Sequence, residues 1–263
     1  MPRKKTTFEE SLIYNKQTYI QYVKRLMELS ISMWDWRNLP KSIDPRFLEL
    51  TLFSDGQAIF FKDEDLGEDG YLGLQVSING GFDDYQIPIN RRAYAVNGYQ
   101  KELNKSDSVI IFNNLLHTNS YADVVMFAKR LYNLDRIVDV NANAQKTPIL
   151  IKGSEQQRLT LKNLYKEYDG NSPVIYADKS LDMNALQVLN TNAPYVADKI
   201  YELKTQIWNE ALTYLGIPNV SLQKKERMIS DEVNRLQGGT FASRYSRLEA
   251  RKQACAQINE MFG

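Results

Sequence analysis

Cysteine is almost missing from this 263-residue sequence, with Cys255 the single example. That excludes an internal disulfide framework and fits a reducing compartment. Histidine is equally scarce. With His117 alone, a zinc site would need Cys255 or carboxylates gathered over long separations. No apolar run approaches the roughly 18 residues of a membrane span, and none follows Met1-Pro2-Arg3-Lys4-Lys5, so no secretory signal is read there. A Walker A loop, a glycine-rich dinucleotide fingerprint and a Ser/His/Asp arrangement are all lacking, and neither an enzyme nor a cofactor is expected. There is also no excess of one charge: 33 Lys and Arg stand against 32 Asp and Glu. A tight duplex binder usually carries a basic surplus, because phosphate neutralisation supplies much of its affinity. Composition therefore does not announce nucleic acid.

What is present is an ordinary folded composition, 43% hydrophobic and 25% charged, long enough to bury a sizeable core. Helical periodicity marks four segments. The first runs from Phe8 to Trp36, with Ile13, Ile20, Val23, Met27 and Trp34 on one face and Pro40 as its stop. The second spans Ser120 to Ala144 through Val124, Phe127, Leu131, Leu134 and Val138. The third runs from Pro194 to Leu215 and stops at Gly216. Its stripe of Val196, Ile200, Leu203, Ile207, Ala211 and Leu215 is widened by Tyr201, Trp208 and Leu212, opposite Asp198, Glu202, Thr205 and Asn209. The fourth covers Phe241 to Phe262, with Phe241, Tyr245, Leu248, Cys255, Ile258 and Phe262 on one side, so Cys255 reads as a small buried residue.

Short strands are expected at 58–61, 72–78, 93–96 and 109–112, as a small barrel-like or folded-sheet module. Strands at 148–151 and 173–176 around a helical piece at 159–168 suggest a β-α-β insertion between the central helices. Ser221 to Ser243 is the least regular stretch, with Gly238-Gly239 as its flexible point. The fold class is α+β, mainly α.

Four unusual phrases occur in fixed order: Val140-Asn-Ala-Asn-Ala-Gln-Lys-Thr-Pro148, Asp169-Gly-Asn-Ser-Pro-Val-Ile175, Asn192-Ala-Pro-Tyr-Val-Ala-Asp-Lys199 and Lys224-Lys-Glu-Arg-Met-Ile-Ser-Asp-Glu-Val233. Together with Trp34-Asp-Trp-Arg-Asn-Leu-Pro40 they resemble the portal (upper collar, or head–tail connector) proteins of Picovirinae-type short-tailed phages. The resemblance covers about Ile137 to Val233 best and 253–263 recognisably; between 52 and 121 it is weak. It implies a portal fold: an N-terminal helix and β-rich wing over 1–119, a stem helix over 120–146 and a β-α-β clip over 147–180. A second stem helix over 181–216, a channel loop region over 217–245 and a C-terminal wing helix over 246–263 would follow. Because longer relatives continue past the final helix, an inner crown domain is expected to be small or missing.

The implied function is a ring-shaped channel at one capsid vertex, for packaging and exit of double-stranded DNA and for joining head to tail. A dodecameric homo-oligomer is implied, with the major capsid protein, a lower collar or tail protein and, transiently, a packaging ATPase as partners. No membrane is involved; the site is the virion head–tail junction, after assembly in the host cytoplasm. A neutral chain suits such a channel, since every phosphate contact resists sliding and ring symmetry multiplies each charge.

Each candidate residue has a plainer reading. Lys199 is a DNA-channel candidate touching phosphate without reading bases, or a salt-bridge partner of an acid such as Glu202 or Glu210 on a neighbour. Arg235, Arg244 and Arg247 are candidates for a mobile basic collar, or a solvated or paired loop. Lys152, Arg158, Lys162 and Lys166 would serve docking at the clip, or solubility alone. Arg3, Lys4 and Lys5 form a basic arm, more simply a solvated one. Lys224, Lys225 and Arg227 alternate with acids and read as a structural network between subunits. Asp63, Glu64, Asp65, Glu68 and Asp69 invite a metal reading, but the twelfth position of a calcium loop would be Leu74, so a hydrated turn is preferred. Competing functions are a lower collar or adaptor ring, a metal-dependent nuclease using the acids near Asp63, and a non-viral helical scaffold.

Overall fold

The computed structural model describes residues 7–144, 149–151, 186–188, 194–219 and 238–263. The chain divides into two compact units: 1–133 with 203–263, and 134–202. Helices α1 (Thr7–Ile31) and α2 (Pro45–Asp55) lead into strands β1 (Gln57–Lys62), β2 (Tyr71–Ile78), β3 (Asn90–Tyr94), β4 (Gln100–Asn104) and β5 (Ser108–Phe112). Helix α3 (Tyr121–Ala144), strands β6 (Ile149–Ile151) and β7 (Leu186–Val188), and helices α4 (Ala197–Leu215) and α5 (Gly238–Phe262) follow. Among the described residues no helix is long and apolar enough to cross a membrane.

In the larger unit α2 begins where Asp44 accepts the Arg46 N–H at 2.9 Å, with Pro45 in the first turn. It ends at Gly56, which adopts a left-handed φ of 85°. A Cβ there would also lie 2.7 Å from Asn119 N, so both conformation and space demand glycine. The sheet that follows is antiparallel, in the order β4-β3-β2-β1-β5. Only Lys105–Asp107 separate β4 from β5, although these strands occupy opposite edges. That link reaches about 14 Å when extended, whereas a flat five-stranded sheet is about 19 Å across. The sheet must curl, which suits either form of the expected barrel-like or folded-sheet module.

β1 reads as an unbroken apolar run because both its faces are buried. Ala58 and Phe60 pack with Leu48, Leu52, Val109, Ile111 and Ala254 on the helix-covered side. Ile59 and Phe61 face Val76, Ala93 and Leu103 inside the curl. Phe262 closes the outer cluster against Phe60 and Tyr71, at centroid distances of 5.5 and 6.1 Å.

Several expectations need correction. The first helix ends at Ile31, leaving the Trp34–Pro40 phrase outside it, and α2 was not anticipated. The predicted 93–96 strand lies at 90–94, and the polar strand β4 was missed. Residues 186–188 form a strand paired antiparallel with 149–151 rather than part of a stem helix, with Ile149 opposite Val188. The expected helix at 159–168 and strand at 173–176 lie outside the described residues. Gly238-Gly239 open α5 instead of forming a flexible point, which places Arg244 and Arg247 on a helix and not in a loop.

Candidate channel helices and the polar core beneath them

Among the described helices α4 carries the most sharply divided surface. Its stripe is buried only at Ile207, Ala211 and Leu215; Leu203 is exposed, and so is the flanking Tyr201. The buried half belongs to the larger unit, where α4 runs against the first half of α3. Tyr214 packs on Phe127 at 5.8 Å and its hydroxyl donates to Asp123 Oδ2 at 2.5 Å, while Arg130 pairs with Glu210 at 3.2 Å. That ion pair is solvent-exposed and adds little stability. Helix α1 supplies a third wall: Arg25 lies 4.4 Å over the Trp208 ring, and Tyr22 packs against the same ring. The C-terminus of α4 is a Schellman stop, with Ile217 N bonded to Leu212 O and Gly216 N to Thr213 O. Gly216 has φ 81°, and a Cβ would come within 2.8 Å of the Arg244 backbone, so α5 crosses the helix end at van der Waals contact.

In the smaller unit the beginning of α4 is tied down by one asparagine. Asn141 Nδ2 donates to Pro194 O at 2.8 Å, and Asn141 Oδ1 accepts from Val196 N at 3.1 Å. Both partners come from the phrases singled out in the sequence. Around them Ile137, Val140, Tyr195 and Tyr201 are exposed. Lys199 and Asp198 are exposed too, and Lys199 pairs with no described residue. Glu210, one of its suggested partners, is engaged by Arg130.

The larger unit holds a buried polar network that the sequence reading did not anticipate. Arg251 on α5 makes a bidentate pair with Glu49 on α2, Nε to Oε1 at 2.9 Å and Nη2 to Oε2 at 2.7 Å. Its Nη1 donates to Asn113 O and Arg247 O, and its guanidinium lies 4.7 Å over Trp34. Trp36 Nε1 donates to Glu49 Oε1 at 2.8 Å, so the Trp34–Pro40 phrase is a lid on this ion pair. One turn earlier Arg247 is buried as well, donating to Ser243 O at 3.2 Å and stacking 4.9 Å over Tyr214. Among the described residues its Nε makes no hydrogen bond. Burial pulls the Arg247 guanidinium below its usual range. Burial also pushes Tyr214 up to about 12, helped by its bond to Asp123.

The predicted basic residues thus fall into different settings. Lys199 and Arg244 are exposed, and Arg244 belongs to the larger unit. Arg247 is not part of an accessible collar; its charge is spent inside the fold, beside Tyr214 and Ser120. Arg235, the clip candidates Lys152, Arg158, Lys162 and Lys166, the arm Arg3, Lys4 and Lys5, and the run Lys224, Lys225 and Arg227 lie outside the described residues. Asp63, first of the acids that suggested a metal, is occupied by protein. It accepts from Lys101 Nζ at 2.6 Å and from the Tyr99 hydroxyl, and it caps a short turn through Asp65 N. The Lys101 and Tyr99 bonds, in that order, hold its carboxyl below the usual carboxylate range. Cys255 is half-buried, and burial raises its thiol, the direction of an unreactive cysteine.

The family model described as Phage Connector (GP10) matches residues 6–263. The chain belongs to the phage connector family. Among solved structures it is similar to the portal and tail of native bacteriophage P68, at 12% identity and a TM-score of 0.48, over 98% of this chain and 89% of that one. A second similarity is to the crystal structure of an HK97-family phage portal protein from Corynebacterium diphtheriae, at 14% identity and a TM-score of 0.44, over 89% of this chain and 86% of that one. On the family match alone the chain is a portal, or head–tail connector, protein of the virion head–tail junction, and that match does not favour the lower-collar alternative. Connectors are structural proteins that work as oligomeric rings with capsid, tail and DNA.

Proposed function

We propose that twelve copies of this connector surround duplex DNA, with the polar face of α4 toward the lumen. The observation that carries the reading is the half-covered stripe of α4. Ile207, Ala211 and Leu215 are buried by the chain itself, whereas Tyr201 and Leu203 are 64% and 44% exposed. Apolar side chains left open on a helix whose far end is fully packed mark a surface for another protein. In this reading a neighbouring copy covers them.

Lys199 and Arg244 are the described basic residues that would touch phosphate, as sparse rings that slow DNA without holding it. The clip candidates would meet a packaging ATPase first and the lower collar later. The ATPase supplies the energy of translocation, and the ring assembles in the host cytoplasm. Negative-stain microscopy of the purified full-length protein tests the central claim. Closed rings with rotational symmetry and a central hole are expected; a protein that stays monomeric at high concentration would overturn it.

A further inference from the structure

The curled sheet leaves one backbone edge facing a cleft. β5 is the last strand in the sheet order. Its register with β1, and the bond from Asn113 N to Gly56 O at 2.9 Å, turn the peptide groups of Val109, Ile111 and Asn113 toward β1. Those of Ser108, Ile110 and Phe112 then point away. Arg91 fixes the direction independently, because its Nη1 reaches Ser108 O from that outer side at 2.6 Å. Along this edge runs a cleft of about 470 Å³, with Ser108, Ile110 and Phe112 on the strand side and Gln253 and Gln257 on the α5 side.

The two ends of the cleft differ chemically. At one end Arg91 is 2% exposed, its Nε donating to Pro88 O at 2.9 Å and its Nη1 to Ser108. No described residue accepts from its Nη2. Nor does a carboxylate pair with it directly: of the nearby acids Asp107 accepts from Asn104 N at 2.5 Å and Asp83 from Lys105 at 2.7 Å, while Glu260 lines the α5 side of the cleft without pairing with Arg91. A buried guanidinium without an adjacent carboxylate is costly unless an anion reaches it. At the other end Phe112 is stacked by His117 at a centroid distance of 3.5 Å, and Leu115 lies exposed beside it.

We propose that this cleft receives an extended peptide segment of a partner protein, added to β5 as a further strand. A carboxylate side chain of that segment meets Arg91, and an apolar side chain meets Phe112 and Leu115. Main-chain bonds to Ile110 and Phe112 give affinity, while the two side-chain contacts give selectivity. Ser108 and Phe112 lie four residues apart, about 13 Å along a strand. The same spacing on the incoming segment puts both of its side chains on one face.

The test uses the full-length protein and a synthetic seven-residue peptide of alternating threonine and apolar residues, with glutamate second and leucine sixth. Saturable binding by fluorescence anisotropy is expected, with about tenfold slower hydrogen exchange at the Ile110 and Phe112 amides. A peptide with lysine in place of the glutamate should bind at least about tenfold more weakly. So should the Gln253→Trp variant, which fills the cleft from an exposed helix position and leaves the core alone. No binding at about 1 mM peptide, or binding that leaves both amides unprotected, would overturn the proposal. Concentration-dependent protection of the same amides without peptide would also overturn it, by giving the edge to a second copy of this chain.

Discussion

Two regions of this connector treat their awkward groups in opposite ways. In the larger unit two charged side chains, Glu49 and Arg251, are drawn into the core, and Trp34, Trp36, Asn113 and the Arg247 carbonyl close around them. In the smaller unit four apolar side chains, Ile137, Val140, Tyr195 and Tyr201, are left 48% to 64% exposed. The first region closes the Glu49–Arg251 ion pair internally, although the Nε of the neighbouring Arg247 makes no bond among the described residues; the second leaves uncovered even what is easy to bury. In the proposed ring the first set would make one subunit and the second would make the assembly. A substitution in the polar core should act on folding, and one on the uncovered face should act on association.

The largest effect is expected at Arg251. Arg251→Ala strands the Glu49 carboxylate among apolar residues, and breaking one side of a buried pair costs about 3–5 kcal/mol. The urea midpoint should fall accordingly, whereas Glu49→Met combined with Arg251→Met should regain much of the loss. A single variant as stable as wild type would mean that the pair is not a core element.

A smaller effect tests the neighbouring tyrosine. Tyr214→Phe keeps the ring on Phe127 and removes the bond to the half-buried Asp123, at a cost of about 1.5 kcal/mol. Because the folded Tyr214 hydroxyl is raised to about 12, its contribution is full below the ordinary tyrosine range and lost as pH rises through about 12. The wild-type protein should therefore lose its advantage over the variant only at strongly alkaline pH, read from urea midpoints. Asp63 gives the opposite sign. Its carboxyl is held low, so its contribution is present above the unfolded value near about 3.9 and disappears as pH falls through the folded one. Asp63→Asn should flatten the acid limb of the stability profile, and an unchanged limb would show that Lys101 and Tyr99 do not hold the charge.

Much of this was legible in the sequence. The ends of α3 and the C-terminus of α4 follow from Ser120 and Gly216, and β1 and β5 from their β-branched and aromatic runs, whereas Pro194, expected to open α4, lies three residues before its first residue, Ala197. The helix α2 was hidden because Asp44-Pro45 was not taken as a cap, and β4 because Gln100–Asn104 holds one buried residue, Leu103, and otherwise polar ones. The most instructive miss is α5. Its apolar stripe predicted burial of Phe241 and Tyr245, yet both are exposed, and the buried face is Thr240, Arg247, Ala250, Arg251 and Ala254. Hydrophobic periodicity treats arginine as a surface residue and has no means of seeing a carboxylate supplied 202 positions away. The one available signal was that Arg251 falls between Leu248 and Cys255 on the predicted stripe itself.

The smallest expected effect on folding belongs to the uncovered face, and there the comparison can be broken most cleanly. Leu203→Glu replaces an exposed apolar side chain on α4 with a charge, next to Glu202 and outside the described core clusters. Surface changes of this kind usually stay within about 0.5 kcal/mol, so the urea midpoint of the isolated subunit should hardly move. Association is different, since a charge forced into an apolar contact must be desolvated with no partner waiting for it. Each ring repeats the fault at every interface, so a modest penalty per contact is multiplied around the circle. Light scattering should then report subunits where the wild type gives rings, at the same concentration and salt. Rings of unchanged size and yield would place the subunit interface elsewhere and remove the reason for assigning that half of α4 to a neighbour.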